Sequence, residues 1–265
     1  MDAIFDGFAA KYDEEFTHTP VGKYQRQQVY ACLEPLLTDR PLRILELNCG
    51  TGEDALWLAQ QGHTVVATDI SEAMVAEAQR KLAFHGVSER AQALALGIED
   101  IQPEQFDAPF DLIFSNFGGW NCLNQAQIAA AAQKLTACLS PTGKVAAVIM
   151  PDRCLWELAY FTLRSRFAEA RRRWIGHSRF ADKQGKEHPI YYFSPRNFAG
   201  LWGEGWQTSK IQPIGLWVPP SYLNHHFENR PRLLSWLHQR DLKANRAARW
   251  ADHAWVQIER KRHKQ

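Results

Sequence analysis

The sequence lacks the long apolar runs and leader features of membrane-spanning or exported proteins. Its longest strongly apolar run, Val145 to Met150, is far shorter than the roughly 20 residues that a transmembrane helix needs. The first 16 residues are interrupted by charge every few positions and show no basic segment followed by an apolar one, so they do not match a secretory signal. We therefore expect a cytoplasmic protein without a transmembrane segment.

Paired cysteines, internal repeats and low-complexity linkers are also missing. The five cysteines are widely spaced and form no C-x-x-C pair, which argues against a zinc site and against a disulfide framework. No bound metal is expected on this basis. A chain of 265 residues, 45% of them apolar, is long enough for one α/β domain with an additional segment.

Charge is distributed unevenly along the chain. Residues 1–150 contain 10 Lys and Arg against 19 Asp and Glu, whereas residues 151–265 contain 21 against 10, a net charge of +11. Such a basic half indicates contact with something anionic, for example an acidic small molecule, a lipid surface or RNA. A solvated basic face explains the same pattern equally well.

From Leu42 to Met150, short β-branched or leucine-rich runs alternate with helical segments. The runs are LRILEL, TVVATD, AQALAL, FDLIFS and KVAAVIM. Strands joined by segments of crossover length form parallel sheets that are covered by helices on both faces. With two further strands, over 206–214 and 255–259, the pattern predicts an α/β fold built on a doubly wound, mostly parallel seven-stranded sheet.

Local signals place some element boundaries. Ser71 is typical of an N-cap and opens a helix that runs to His85, where Gly86 ends it. The segment 140–143, Ser-Pro-Thr-Gly, predicts a turn between a helix and the fifth strand. Pro195 opens a short helix.

The sequence predicts that the chain has three parts, of which the first two are an N-terminal cap and a core. Apolar residues recur at helical spacing from Ile4 to Phe16, and a second helix follows the turn at Pro20, so residues 1–40 are expected to form a helical cap. Residues 41–150 and 195–265 form the core with its sheet.

The third part is a lid, residues 151–194, inserted after the fifth strand. It begins with a predicted single helix over 152–173, apolar on nearly all sides in its first half and strongly basic in its second. A hairpin follows, with WIGHSRF and HPIYYFS flanking a polar turn at 182–186. The lid is expected to fold over the carboxyl ends of the strands.

The strongest chemical signal is a glycine loop between the first strand and the next helix. The strand ILEL runs into Asn-Cys-Gly-Thr-Gly, residues 48–52, and a helix starts at once. Glycines let the backbone approach a ligand, and the helix offers free N–H groups, which is the usual nucleotide site of a doubly wound sheet. Asp69 lies seventeen residues after Gly52 at the end of the second strand, where a carboxylate accepts ribose hydroxyls.

The loop alone fits two classes of enzyme. GTGEDA also satisfies the dinucleotide pattern G-x-G-x-x-G/A, with Ala55 in the last place, so an NAD-dependent oxidoreductase is an alternative. Glu46 before the loop and the segment FSNFGGWN after the fourth strand argue against this alternative.

With these features, the sequence resembles class I, Rossmann-like, S-adenosylmethionine-dependent methyltransferases of the small-molecule type. The resemblance covers about residues 40–150 and the last two strands. The family pattern E-x-G-x-G-x-G matches Glu46, Gly50 and Gly52 and departs at Asn48, where glycine is usual. Asparagine tolerates left-handed backbone angles, so the turn is expected to survive.

The resemblance implies S-adenosylmethionine as cofactor, S-adenosylhomocysteine as product, and a set of residues around the cofactor. Those that border its methionine part are Glu46, Asn48, Gly50 and Gly52, and Cys49 of the same loop is counted among the cofactor-binding residues. Cys49 is also interpreted as a small packing residue rather than a nucleophile. Asp69 holds the ribose. The residues that flank the adenine are Ile70, Met74, Ile98 and Glu99.

Four further residues are assigned to the same site by the resemblance. Asn116 and Phe117 end the fourth strand where the family closes over the cofactor. Tyr12 belongs to a Tyr-Asp pair that caps the site in many small-molecule methyltransferases, and Arg26 meets the cofactor carboxylate. Met74 and Ile70 fit an ordinary core position as well.

The acceptor site is predicted from aromatic residues. Those of the lid are Trp156, Tyr160, Tyr191 and Tyr192, with Trp120 and Asn121 as the floor. Aromatic walls suit a small organic acceptor, an anionic one included, although packing between lid and sheet explains each aromatic residue too. His188 is the first candidate for a general base and His225 and His226 the second, while transfer by proximity without a base stays open.

Other hypotheses remain at this point. The basic second half, through the arginines from 164 to 179, is compatible with an RNA methyltransferase, but no (D/N)-P-P-(Y/F) motif follows the fourth strand, which argues against adenine methylation. A cofactor-binding module without enzymatic activity is a third possibility. We expect a monomer or homodimer with a small-molecule acceptor, and nucleic acid as a less favoured partner.

Overall fold

The structure is a computed structural model that describes residues 12–38, 40–181, 185 and 187–261. The strands are β1 Arg43–Leu47, β2 Thr64–Asp69, β3 Ala91–Ala95, β4 Phe110–Ser115, β5 Leu139–Ile149, β6 His177–Ala181, β7 Glu187–Tyr191, β8 Trp206–Ile214 and β9 His253–Arg260. The α-helices are α1 Pro20–Leu33, α2 Glu53–Gln60, α3 Glu72–Phe84, α4 Gln125–Ala137, α5 Leu155–Thr162, α6 Phe167–Ala170, α7 Pro195–Gly200 and α8 Pro231–Lys243.

Shorter helical turns complete the described part of the chain. Asp13–Thr17 is a π-helical turn. The 3₁₀ turns are Glu34–Leu36, Ile98–Asp100, Pro103–Gln105, Gly119–Cys122, Arg172–Ile175, Ser221–His226 and Ala248–Trp250. No helix in the described ranges has the length and apolar character needed to span a bilayer.

The central sheet has the order β3-β2-β1-β4-β5-β9-β8. β1 to β5 run parallel, and β9 and β8 complete the sheet in antiparallel pairings. The predicted doubly wound, mostly parallel sheet of seven strands is therefore confirmed. The strand order reverses at β1, which lies between β2 and β4, and such a switch point opens a crevice at the carboxyl ends of the strands.

The central strands are buried on both faces, as parallel strands under helices must be. In β1, Leu45 and Leu47 belong to the core on one face of the sheet and Ile44 to the core on the other. β5 is fully buried from Val145 to Ile149. This explains why these segments have continuous apolar runs instead of alternating ones.

Element boundaries agree with the sequence at α3 and disagree at β5. The Ser71 hydroxyl accepts a hydrogen bond from Met74 N at 3.1 Å, and Gly86, just after α3, has φ +68°. The turn predicted over 140–143 is wrong, because these residues lie inside β5. Gly143 approaches β4 so closely that a Cβ there would lie 3.0 Å from the Phe110 carbonyl oxygen.

The single lid helix predicted over 152–173 is also wrong. Ser165 has φ +57°, a left-handed conformation that separates α5 from α6. The chain then turns back, and this allows Arg172 to bind Glu157 of α5 with Nε–Oε2 2.9 Å and Nη2–Oε1 2.7 Å. The predicted hairpin is present as β6 and β7, although residues 182–184 and 186 of its turn lie outside the described residues.

The N-terminal helix was predicted from Ile4 to Phe16. Its residues up to position 11 lie outside the described residues. The second helix is present as α1, with Thr19 as its N-cap. The sequence reasoning missed α8, whose buried residues are Leu234, Leu237, His238 and Asp241. Their spacing of three, four and seven positions is the signal that would have found it.

A buried ionic cluster ties the lid and α1 to the sheet. The Arg173 guanidinium contacts Glu157 at 2.8 Å and Asp252, just before β9, at 2.9 Å. Gln25 Nε2 of α1 donates to the other oxygen of Asp252 at 3.1 Å. Because Glu157, Arg173 and Asp252 are all nearly inaccessible to solvent, their charges depend on each other for compensation.

Removal of Arg173 should destabilise the fold strongly. Arg173→Ala leaves Asp252 and Glu157 buried with less compensation, and we expect a loss of about 3–5 kcal/mol in the free energy of unfolding. Arg179→Ala is the matched control, since Arg179 pairs with Glu187 on the exposed hairpin and its loss should leave the free energy of unfolding nearly unchanged. Equal losses in urea unfolding would contradict the proposed role of the cluster.

Candidate functional site

A cleft lies at the carboxyl ends of the parallel strands, at the switch point of the sheet. It is lined by Tyr12, Asn48, Gly50, Asp69, Met74, Phe117, Gly118, Gly119, Cys122, Met150 and Ile190. The first six of these are residues that the sequence assigned to a cofactor. The glycine loop and Asp69 contribute polar groups to the lining, and Cys122, Met150 and Ile190 contribute an apolar wall.

Asp69 organises the glycine loop, residues 48–52. Its Oδ2 accepts a hydrogen bond from Gly50 N and its Oδ1 accepts one from Ser71 N, both at 2.9 Å. Gly50 and Gly52 have φ +52° and +76°, which favour glycine. A Cβ at Gly52 would also lie 2.8 Å from Ala78 Cβ, so glycine allows α3 to pack against the loop.

Asn48 joins the glycine loop to the segment that follows β4. It has φ +49°. Its Oδ1 accepts a hydrogen bond from the Ser115 hydroxyl, and its Nδ2 donates to Asn116 O at 2.6 Å. Gly119 leaves the space for this side chain, because a Cβ there would lie 2.2 Å from Asn48 Cγ. The departure from the family pattern at Asn48 is thus matched by residues of FSNFGGWN.

A layer of buried polar groups lies next to the loop, outside the cleft lining. Arg26 forms an ion pair with Asp54, and Asn116 Nδ2 donates to the same carboxylate at 2.9 Å. Glu46 is 1% exposed, and burial, reinforced by Asp54, raises its pKa well above the ordinary value. In the described part of the chain, Glu46 Oε2 and Arg26 Nε have no hydrogen-bond partner.

The N-terminal segment is held over the glycine loop by Asp13. Its carboxylate accepts hydrogen bonds from the Thr51 hydroxyl at 2.7 Å and from Lys81 Nζ at 2.8 Å. Burial opposes ionisation, but these two hydrogen bonds keep the pKa of Asp13 below its ordinary value. Asp13 was predicted only as the partner of Tyr12 in the Tyr-Asp pair, and Lys81 was not predicted, since no local pattern connects residues so far apart in the chain. Tyr12 is placed in the cleft as a result.

The residues assigned to the adenine are only partly at the surface of the cleft. Met74 lines it. Ile70 packs beside Gly97, where a Cβ would lie 3.4 Å from Ile70 Cδ1. Ile98 packs against the core and Glu99 accepts a hydrogen bond from Lys134 through its carbonyl oxygen, at 2.8 Å, and neither lines the cleft.

The predicted floor of the acceptor site is a structural element instead. Trp120 is fully buried and packs edge-on against Phe198 and Trp202, with ring centroids 5.6 and 6.0 Å away. Asn121 donates from Nδ2 to Met150 O and accepts from Met150 N, at 3.0 and 2.8 Å. These contacts place both residues beneath the cleft. Its wall is formed by Cys122, Met150 and Ile190, which the sequence did not single out.

The lid aromatics also lie away from the cleft lining. Trp156 contacts Phe227, with ring centroids 5.7 Å apart, and Tyr160 contacts Tyr222 at 6.3 Å. These pairs fasten α5 to the segment 221–227. The remaining two, Tyr191 and Tyr192, pack against the core and within the lid, where the Tyr192 hydroxyl lies 2.9 Å from Ser178 Oγ.

The candidate bases do not line the cleft either. His188 is buried on β7, two positions before Ile190 and on the same face of that strand. His225 and His226 lie in the 3₁₀ turn at 221–226. Of the groups that do line the cleft, burial raises the pKa of Tyr12 to about 12 and that of Cys122 to about 11, so both are neutral at pH 7.

Comparison with known proteins identifies the core. Residues 44–143 match the family model described as a methyltransferase domain. Over 110 residues the chain is 36% identical to YqeM of Bacillus subtilis (strain 168), a protein named as a methyltransferase. The matched region covers 42% of this chain and 40% of YqeM. Over 116 residues it is 28% identical to the tRNA 5-carboxymethoxyuridine methyltransferase of Escherichia coli (strain K12), covering 43% and 44%. The chain thus spans less than half the length of these relatives.

Similarity to solved structures extends over nearly the whole chain. The complex of DhpI with SAH superimposes with a TM-score of 0.58 at 18% identity, covering 97% of this chain and 93% of DhpI. At this identity the likeness concerns the fold. It confirms the predicted Rossmann-like fold, and the family model confirms the predicted methyltransferase domain within it.

A double-mutant cycle tests the contact between the two loops. Gly119→Ala should destabilise the protein by about 1–3 kcal/mol, because the added methyl group overlaps the Asn48 side chain. Asn48→Gly removes that side chain and keeps the left-handed turn, so Gly119→Ala should cost much less in the Asn48→Gly background than in the unmodified protein. The measurement is urea unfolding of the four proteins.

Gly200→Ala is the matched control for this cycle. A Cβ at Gly200, in α7, meets no atom within 4 Å, so this substitution should be neutral or stabilising. Strict additivity of Gly119→Ala and Asn48→Gly would show that the two residues do not pack against each other.

Proposed function

We propose that this chain, whose residues 44–143 form a class I methyltransferase domain, transfers a methyl group from S-adenosylmethionine to a small anionic acceptor. The observation that carries the proposal is the cleft itself. It combines the glycine loop and Asp69 on one side with a neutral, largely apolar wall on the other, at the switch point of the sheet.

The residues around the glycine loop fit S-adenosylmethionine. Asp69 ends β2 beside the loop, in the position where a carboxylate binds a ribose. Glu46 Oε2 and Arg26 Nε are buried without partners in the described residues and have the charges to meet the ammonium and carboxylate of a methionine group. Bound there, S-adenosylmethionine supplies an electrophilic methyl group on a positively charged sulfur.

The opposite wall determines which acceptors are suitable. Gly118, Cys122, Met150 and Ile190 offer no charged group to the acceptor. Tyr12 and Cys122 remain protonated at pH 7 because burial raises their pKa values, and neither can remove a proton from the acceptor. Asp69 is engaged with the loop through Gly50 and Ser71. An acceptor that arrives already deprotonated needs no base.

Electrostatics favours the same class of acceptor. When an anionic oxygen attacks a sulfonium methyl group, opposite charges cancel, and a cleft that excludes water strengthens their attraction. A neutral amine would instead become a cation against a wall with no carboxylate to hold it. The net charge of +11 on residues 151–265 attracts anions towards the protein. The name of the Escherichia coli relative specifies a substituent with a carboxylic acid. A carboxylate is therefore the preferred acceptor group.

Cofactor affinity should depend on pH through Glu46. Burial holds a proton on Glu46 to a higher pH than on an ordinary carboxyl group, and a bound cation lowers this pKa, so binding releases a proton and tightens as pH rises through the pKa of Glu46 in the free protein. Glu46→Gln cannot ionise and retains only the titration of the cofactor itself. Calorimetric titration in two buffers of different ionisation enthalpy measures the proton release. Identical pH profiles for the two proteins would show that Glu46 does not face the cofactor.

The class of acceptor can be tested with S-adenosylmethionine labelled in its methyl group and an extract of small metabolites. We expect label in products that are less acidic than their precursors and that release methanol on mild alkaline hydrolysis, as methyl esters do. His188→Gln should give the same products at a similar rate, since His188 does not line the cleft. Label in cationic products that resist alkali would contradict the proposed acceptor.

A further inference from the structure

A second cavity, of about 550 Å³, lies on the outer face of α8. It is lined by Trp217, Trp236, Gln239, Arg240, Lys243 and Ala244. The two tryptophans are unusually accessible for such large apolar residues, at 42% and 49% exposed. Neither belongs to the cofactor cleft or to the core, so their position calls for a separate explanation.

Two sets of contacts hold these side chains in place. The opposite face of α8 is buried on α1, where the rings of Tyr24 and His238 lie 4.6 Å apart, and this turns Trp236, Arg240 and Lys243 outwards at helical spacing. The Asp241 carboxylate accepts hydrogen bonds from the backbone N–H groups of 216–218, at 2.8 to 3.0 Å. Trp217 is thereby fixed beside the helix.

The cavity is cationic, and the residues that follow Ala244 in the chain line a second basic depression. Arg240 lies 4.7 Å from the centroid of the Trp236 ring. The adjoining depression, of about 360 Å³, includes Arg196 and Arg246. In the part of the chain that the structure describes, neither these two arginines nor Arg240 and Lys243 forms a salt bridge. We call the residues Arg196, Trp217, Trp236, Gln239, Arg240, Lys243 and Arg246 the α8 surface.

The α8 surface lies at the same edge of the sheet as the cofactor cleft. β8 is antiparallel to β9, so the carboxyl end of β8, Ile214, pairs with His253 at the start of β9. Trp217 follows Ile214 by three residues. The ring of His253 lies 5.3 Å from that of Phe117, which lines the cleft. A molecule bound along the α8 surface is therefore on the side of the protein where the cleft is.

Accessible indole rings beside cations that form no salt bridge within the described residues match the chemistry of single-stranded nucleic acids. Indoles stack on bases, and arginine and lysine neutralise phosphates along a flexible backbone. An acidic protein carries aromatic rings only at scattered positions, whereas a nucleic acid strand carries a planar base beside every phosphate. The Gln239 amide adds a hydrogen-bonding group of the kind that contacts a ribose 2′-hydroxyl.

We propose that the α8 surface binds single-stranded RNA. Bases stack on Trp217 and Trp236, while the phosphates follow the cations from Arg240 to Arg246 and on to Arg196. This binding is separate from the proposed methyl transfer and does not require it, because the cofactor cleft contributes no residue to the α8 surface.

The test is fluorescence anisotropy of a labelled twelve-nucleotide oligouridylate with the full chain, at several salt concentrations. We expect Arg240→Gln and Lys243→Gln each to weaken binding and to reduce the salt slope by about 0.7, the value for one lost phosphate contact in a single strand. Trp236→Ala should weaken binding about 5- to 150-fold with little change in slope, as the loss of a stacked base does.

Exposed residues elsewhere provide matched controls. Trp250→Ala and Arg90→Gln remove an accessible tryptophan and an exposed arginine outside the α8 surface and should leave RNA affinity unchanged. Circular dichroism confirms that each variant is folded. Cofactor titrations on the same proteins should be unaffected, so that failure of RNA binding and failure of the proposed methyltransferase function are seen separately.

Four outcomes would overturn the proposal. Absence of oligouridylate binding at low salt removes it directly. Unchanged affinity of Trp236→Ala shows a general attraction for polyanions. Equal or tighter binding of polyglutamate indicates an acidic protein as the partner, and equal or tighter binding of oligothymidylate shows that RNA is not distinguished from DNA.

Discussion

The cleft depends on a contact between two loops that end adjacent parallel strands. Asn48, after β1, bonds to Ser115 and to the Asn116 carbonyl oxygen at the end of β4, and Gly119 leaves room for its side chain. The contact sets the separation of the glycine loop from the opposite wall. It also requires a left-handed backbone at Asn48, which asparagine tolerates better than most residues. The geometry of the cleft is therefore built into this edge of the sheet.

Around this edge, buried charges bring distant segments of the chain together. Arg173 of the lid and Gln25 of α1 both reach Asp252, just before β9, and Asp13 holds the N-terminal segment on Thr51 and Lys81. Such groups are costly to bury unless they compensate one another. The compensated charges fix the positions of these segments around the cleft. Methyl transfer benefits from such fixed positions and from the exclusion of water.

The sequence predicted the sheet, the glycine loop and Asp69 because these follow from local patterns: strand periodicity, glycines at a strand end and an acidic residue at a fixed spacing. It did not predict the apolar wall of the cleft, because Cys122, Met150 and Ile190 come from three separate segments that meet only in the fold. The aromatic residues predicted to line the acceptor site were wrong because their packing also depends on the fold. Trp120 and Trp156 have large apolar surfaces that the core and the segment 221–227 bury, and composition does not distinguish such packing from a binding site.

Direct titration of the protein with S-adenosylmethionine, S-adenosylhomocysteine and NAD tests the central claim, since the glycine loop by itself suits both nucleotide classes. We expect saturable binding of the first two and none of NAD. We also expect Asp69→Ala to weaken both by about 1.5–3 kcal/mol, the worth of hydrogen bonds to a charged group, whereas Asp107→Ala, at an exposed carboxylate, should leave them unchanged. Tight binding of NAD without a response to the other two would show that the cleft does not bind S-adenosylmethionine.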